Sequence, residues 1–283
     1  MIKAIVLDID GVIVGSKEGI NFPHPSKKVT KALRKIHDKG IPISFLTGKT
    51  TFAAWENIKS VGIDNPHIAD GGAVIFNPIQ EKIIKRKTIQ SKDILRLLDS
   101  LPKNTYVNPF TTDGYYLEKS LRNKYTNVYG RFIGRLPILV ENLREIVKGK
   151  EISKINISAF DSKEKERISR VLGKLSNRFN FSWSSGPNTG TIQTLVVTAR
   201  GVSKKSGVEY LAKYLGVTLD EILGVGDTIH DWDFMKICGY KAAMGNATKE
   251  LKEKIGSDKT SNVIGGHVNE DGILDIFKHF RLI

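Results

Sequence analysis

The opening dozen residues constrain this chain more than any other feature. An apolar run, Ile2-Lys3-Ala4-Ile5-Val6-Leu7, stops abruptly at Asp8-Ile9-Asp10-Gly11. A short apolar run bounded by polar residues reads as a buried strand. Strands of parallel sheets are apolar throughout because helices cover both faces. Two carboxylates at the C-terminal end of such a strand stand where open α/β sheets bind ligands. Being neighbours they also repel each other, so a cation is their natural partner.

The hydropathy rhythm downstream fits that beginning. Strands are expected at 2–8, 41–46, around 68 and at 73–76, with helices at 26–39 and 51–60. Pro25 suits the entry of the first helix and Gly40 its stop. Alternation of this kind predicts an α/β fold with a doubly wound, mostly parallel Rossmann-like sheet. From about 78 to 194 the rhythm changes. Strands are expected at 82–89, 115–119, 154–160, 180–184 and 192–197, with helices at 92–100, 139–147 and 162–175. This reads as an α+β module inserted into the sheet domain. The α/β pattern then resumes with a helix at 203–215, a strand at 222–225, a helix at 231–237, a strand at 241–244 and a helix at 248–255. The expected organisation is therefore 1–77 and 195–283 for the core and 78–194 for the insertion.

Composition narrows the partners. No apolar stretch approaches the roughly 18 residues needed to span a bilayer, so no membrane association is expected. The N-terminal run is too short for a secretory signal, and a cytoplasmic location is expected. The single cysteine, Cys238, excludes an internal disulfide and lies in an apolar stretch suited to a buried, inert thiol. The net charge is +14, which raises the question of nucleic acid. The lysines are scattered over separate helical segments, and no helix-turn-helix, zinc or RNP-type signature accompanies them. Nucleic acid is therefore not expected, and the charge serves equally well to attract small anionic substrates. A monomer or a homodimer is expected.

Four segments carry chemistry. Asp8-Ile9-Asp10-Gly11 and Thr47-Gly48 end two strands, Lys204 opens a helix after Gly201-Val202-Ser203, and Gly226-Asp227-Thr228-Ile229-His230-Asp231 ends a further strand. In a parallel sheet all strand C-termini share one edge, so the four can converge. Asp8, Asp10 and Asp227 offer hard oxygen ligands to Mg²⁺, which takes few carboxylates together with water and substrate phosphate. Thr47 and the Gly48 amide can donate to phosphate oxygens, and Lys204 adds a point charge for the same anion. With phosphorus held there, Asp8 can attack in line while Asp10 protonates the leaving oxygen and later deprotonates water.

These residues resemble the haloacid dehalogenase (HAD) superfamily of phosphohydrolases, whose four motifs are matched in order. The resemblance is closest to the Cof-type subfamily, which carries an α/β cap between the second and third motifs. Asp70-Gly71-Gly72-Ala73-Val74-Ile75, Met244-Gly245-Asn246-Ala247 and Asn269-Glu270-Asp271-Gly272-Ile273 also look like that subfamily. The resemblance implies a phosphatase acting on a small phosphorylated substrate, a sugar phosphate or a phosphoglycolate-like acid, with Mg²⁺ as cofactor. It makes Asp8 the nucleophile and Asp10 the general acid and base. The metal would be held by the Asp8 carboxylate, the Asp10 carbonyl and Asp227, with Asp231 supporting the outer shell. The Ile9 amide would join Thr47, Gly48 and Lys204 around the phosphate. Two positions depart from the family: His230 stands where Asn is usual, and Lys205 where Gly is common. A phosphomutase of the same fold, or a phosphatase of nucleotides or nucleic-acid ends, is the alternative reading. The turn 184–190 is a candidate specificity loop.

Overall fold

The computed structural model describes residues 1–185, 192–256 and 260–283. The chain opens with β1 (Ala4–Leu7), α1 (Lys27–Asp38), β2 (Ile43–Phe45), α2 (Thr51–Val61), β3 (His67–Ala69), β4 (Val74–Asn77) and β5 (Lys82–Arg86). Next come α3 (Ser91–Ser100), β6 (Tyr106–Phe110), β7 (Tyr116–Glu118), α4 (Lys124–Ile133), β8 (Ile138–Val140) and α5 (Leu143–Gly149). They are followed by β9 (Lys154–Ala159), α6 (Ser162–Lys174), β10 (Phe179–Ser185) and β11 (Gln193–Ala199). The chain closes with α7 (Lys204–Leu215), β12 (Ile222–Gly226), α8 (Trp232–Met235), β13 (Tyr240–Ala243), α9 (Lys249–Ile255), β14 (Asn262–Ile264) and α10 (Ile273–His279). Two compact units result. Met1–Gly48, Ala54–Ile84 and Ser203–Ile283 form one, and Lys49–Ala53 with Lys85–Val202 form the other.

The first unit is built on a five-stranded sheet in the order β14-β13-β12-β1-β2, parallel at every pairing. β1 lies between β12 and β2, and all four of its residues are buried. Its apolar run is thus explained by helices on both faces. The face of α1 that packs inward carries Val29, Ala32, Leu33 and Ile36, the three-and-four spacing of an amphipathic helix. Ser26 caps α1 by accepting a hydrogen bond from the Val29 amide at 3.2 Å, and Gly40 turns the chain at φ +83°. Cys238 is buried, and burial pushes its thiol up to about 12.

β3 meets the parallel sheet through a single parallel bridge, Leu46 to Ile68, and β4 does not extend it. They pair antiparallel, because Asp70, Gly71 and Gly72 take φ values of +51°, +65° and +109° in succession and reverse the chain. A side chain at Gly72 would also meet the Ser203 carbonyl at 2.1 Å, so glycine lets this turn pack against the start of α7.

The second unit contains a four-stranded antiparallel sheet in the order β10-β11-β9-β6. Val107, Ile155, Ile157, Leu195 and Val197 are buried on one face, as the two-residue period requires. On alternate positions Tyr106 and Phe110 join Tyr115, Leu117, Tyr125 and Tyr129 in an aromatic cluster. Its hydroxyls are satisfied: Tyr106 donates to Thr126 Oγ1 at 3.0 Å, and the Tyr129 and Tyr125 oxygens accept from Asn156 and Ser158.

Several elements differ from the sequence expectation. Residues 139–147 do not form one helix: Ile138–Val140 pairs with β7, and Asn142 then caps α5 by accepting from the Arg144 amide at 2.9 Å. β6 lies outside the expected strands and carries Pro109, a residue that disfavours strand interiors. It is an edge strand, where a missing N–H is tolerated. The helix at 231–237 is a 3₁₀ turn, Ile229–Asp231, followed by the short α8. Of the candidate loop 184–190, residues 186–190 lie outside the described residues. Among the described residues no helix is long and apolar enough to cross a membrane.

Replacing the fully buried Ile5 by Ala in the central strand should cost about 2–5 kcal/mol. Chemical denaturation of the variant against the parent chain measures it.

Candidate active site

Parallel pairing brings the ends of β1, β2 and β12 to one edge. Asp8 follows β1 directly, and its amide donates to the Val225 carbonyl at 3.0 Å. The residue is buried, at 7% exposure. The next residues turn tightly: the Ile9 carbonyl accepts from the amides of Ile13 and Val14, both at 3.0 Å, and the Gly11 amide donates to the Val14 carbonyl at 2.8 Å. Asp10 projects outward and is exposed, whereas Ile9 is buried. Gly11 is required twice over. Its φ is +74°, and a side chain there would sit 2.0 Å from Asp227 Oδ2.

At the end of β2 Thr47 is buried and Gly48 exposed. The Thr47 amide donates to the Ile68 carbonyl at 2.9 Å, and its carbonyl accepts from the Gly71 amide at 3.1 Å. The turn at 70–72 therefore holds the second motif in place. Nothing crowds the side of Gly48 where a side chain would stand.

Lys204 is the first residue of α7. Ser203 caps that helix reciprocally with Ser206, which fixes where the lysine begins. Its Nζ lies 2.7 Å from Asp8 Oδ1 and 2.6 Å from Asp231 Oδ1. Asp231, 1% exposed, uses its other oxygen to accept from the Asp227 and Thr228 amides, both at 3.0 Å, and from the Thr228 hydroxyl at 3.2 Å. A side chain at Gly226 would collide with the Asp231 Cβ at 2.4 Å. The loop after β12 thus folds around Asp231 and presents Asp227 from its rim. The two departures from the family pattern lie outside this knot. His230 is exposed. The Lys205 amide donates to Asp233 at 3.1 Å, and its ammonium lies 3.7 Å from Glu209.

The electrostatics follow from this crowding. Burial pushes Asp8 up to about 8, against the pull of Lys204 and with the help of Asp231 and Asp10. Burial, then the Asp231 charge, lifts Asp227 to about 7. Burial opposes ionisation of Asp231 too, yet the Lys204 ammonium and two amides hold it below the usual carboxylate range. Burial disfavours the Lys204 charge, but Asp8 and Asp231 more than offset this and keep it protonated. The edge therefore sets three carboxyl groups against one lysine, two of them kept from ionising by burial, a donor set suited to a hard divalent cation. Among the described residues no three His, Cys, Asp or Glu side chains form a group able to hold a metal by themselves. Mg²⁺ does not need one, because it keeps waters and binds through one or two carboxylates plus substrate phosphate. Asp8, Asp227 and the Asp10 carbonyl fit that demand. Asp231 has both oxygens engaged and fits the outer shell.

Some neighbours of the site carried no sequence signal of their role. Asn246 Nδ2 donates to the Gly11 carbonyl at 2.8 Å; its motif is visible in the sequence but its contact, 235 residues away, is not. Asn21, buried in the loop after β1, was missed altogether, since a lone loop asparagine has no local pattern.

Comparison with known proteins places these observations. Residues 5–277 match the haloacid dehalogenase-like hydrolase family. The chain is 26% identical over 297 residues to the phosphatase YwpJ of Bacillus subtilis, covering 98% of this chain and 99% of that protein. It is 25% identical over 282 residues to a phosphoglycolate phosphatase of Methanobrevibacter smithii, covering 99% of each. The solved structure of BT4131, a HAD subclass IIB sugar phosphatase, superimposes with a TM-score of 0.76 at 22% identity, covering 99% of this chain and 100% of that one.

The weakened acidities of Asp8 and Asp227 give a pH dependence. Asp8 and Asp227 hold protons more tightly in the fold than in the unfolded chain. Their contribution to stability is complete below their ordinary values near 4 and is lost as the pH rises through about 7 to 8. Metal-free protein should therefore lose thermal stability between pH 5 and pH 8.5. Asp227→Asn should reduce that loss by about 1 kcal/mol, or ~2–4 °C in midpoint at pH 8.5, and change little at pH 5. Calorimetric scans in chelator across the range measure both.

Proposed function

The chain belongs to the haloacid dehalogenase-like hydrolase family and is a phosphatase; we propose that it hydrolyses a small phosphorylated metabolite with Mg²⁺, by way of a phosphoryl group carried on Asp8. The substrate class is a sugar phosphate or a phosphoglycolate-like acid. Relatives named for phosphoglycolate and sugar phosphates support that choice. The observation that carries the reading is the Lys204 ammonium shared between Asp8 and Asp231 at the end of the central strand.

In this reading Lys204 pulls Asp8 toward its ionised form against the burial that opposes it, and draws the substrate phosphate alongside it. Thr47, the Gly48 amide and the Ile9 amide donate to the remaining phosphate oxygens. Asp8 Oδ attacks phosphorus in line as the bond to the leaving oxygen breaks, and Asp10 supplies the proton that oxygen needs. Asp10 then takes a proton from the water that attacks phosphorus and releases Asp8. Mg²⁺, held by Asp8, Asp227 and the Asp10 carbonyl, would neutralise charge on the transferring group. Most of the acceleration comes from positioning and charge neutralisation. Residues 78–194 act as a cap that excludes water and selects the substrate, in a cytoplasmic enzyme.

The test is phosphate release from a panel of sugar phosphates, phosphoglycolate, nucleotides and phospholipid headgroups. Activity should require Mg²⁺ and vanish with chelator. Asp8→Asn should fall to background, and Asp10→Asn should lose about 100- to 10,000-fold in kcat. Release from no member of the panel, or an unchanged Asp8→Asn variant, would contradict the reading.

A further inference from the structure

Two stretches that resemble family motifs, 244–247 and 269–273, hold no group that the chemistry above uses. Their contacts show what they do. Asn246 stands between two backbones: its Nδ2 donates to the Gly11 carbonyl at 2.8 Å, and its Oδ1 accepts from the Val268 amide at 2.8 Å. Val268 and Asn269 are in turn tied to the loop after β1. Asn21 donates to the Val268 carbonyl at 3.1 Å and to Asn269 Oδ1 at 3.2 Å. Asn269 also accepts from the Ser16 amide and donates to the Ser16 hydroxyl, each at 3.0 Å. The approach depends on small residues, since a side chain at Gly245 would lie 2.7 Å from the Gly266 backbone, and one at Gly15 would lie 2.2 Å from Asn269 Oδ1.

The consequence falls on the Asp10 carbonyl. In a trans peptide the C=O of one residue and the N–H of the next point in opposite directions. The Gly11 N–H donates to the Val14 carbonyl, so the Asp10 C=O points the other way. That orientation holds only while Gly11 keeps φ at +74°, a value glycine leaves freely. The Gly11 carbonyl is the second anchor of the same residue, and Asn246 grips it. Asp227 is set by the same neighbourhood: its carboxylate fills the space beside Gly11, and its carbonyl accepts from the Thr248 amide at 2.8 Å, two residues after Asn246.

We propose that Asn246 is a positioning residue that fixes the Gly11 turn, and with it the Asp10 carbonyl and the Asp227 carboxylate, in the arrangement that receives Mg²⁺. The proposal rests on the Mg²⁺ reading above and assigns a role to a residue that touches neither substrate nor metal.

The experiment is titration calorimetry of Mg²⁺ into metal-free parent, Asn246→Ala and Asn246→Ser, with hydrogen exchange over residues 8–14 and an unfolding curve for each. Serine keeps a polar group but is too short to reach Gly11, and it serves if the alanine variant folds poorly. Both variants should raise the Mg²⁺ dissociation constant about tenfold or more and exchange faster over 8–14. Saturating Mg²⁺ should restore kcat to within a few-fold. Dissociation constants within twofold of the parent, whether or not stability falls, would overturn the role of Asn246 alone. A parent protein that binds no Mg²⁺ would overturn the functional reading and this inference with it.

Discussion

The arrangement depends on one half-buried cation. Lys204 bridges Asp8 and Asp231 at 2.7 and 2.6 Å, where three carboxylates from the ends of two strands would otherwise repel one another. Taking such charges from water costs several kcal/mol per ion, and only close geometry with further hydrogen bonds offsets it. Asp231 meets that condition through the amides of Asp227 and Thr228. Asp8 does not: burial leaves it near 8. The incomplete balance is what equips the edge for chemistry, because an acid that is costly to ionise gains most from an approaching cation and gives a reactive nucleophile once ionised.

The surrounding fold holds this imbalance in place. β1 has partners on both sides, so Asp8 cannot move without breaking a sheet. The capping pair Ser203 and Ser206 fixes the start of α7, and Gly72 lets the turn at 70–72 lie against it. Thr47 is held by that same turn. The motifs, far apart in sequence, are thus tied through backbone contacts as well as through the charges they bring together.

Much of this is legible in the sequence because the governing physics is local. A strand buried on both faces must be apolar, so β1, β2 and β12 stand out, as do the carboxylates that end β1 and β12 and the Thr47-Gly48 that ends β2. Pro25 at its entry and Gly40 at its stop locate α1. What was hidden depends on distant partners. The strand pair around 68 and 73–76, divided by Asp70-Gly71-Gly72, is visible, but its antiparallel sense follows from three successive positive φ values, one of them at Asp70, where residue type does not demand it. Pro109 conceals β6 because its tolerance depends on an edge position. Leu139 and Val140 suit a helix or a strand, and only pairing with β7 decides. Asn246 and Asn21 act across more than 230 residues, so no local pattern reveals their contacts.

The central claim is that Asp8 carries the phosphoryl group. The direct test is rapid-quench mass spectrometry of the peptide containing Asp8 during turnover, with the Asp10→Asn variant included to slow hydrolysis of the intermediate. The account predicts a phosphoryl adduct on Asp8 that forms within the first turnover and decays as inorganic phosphate appears. Phosphate release with no adduct on Asp8 at any quench time, in either protein, would contradict it.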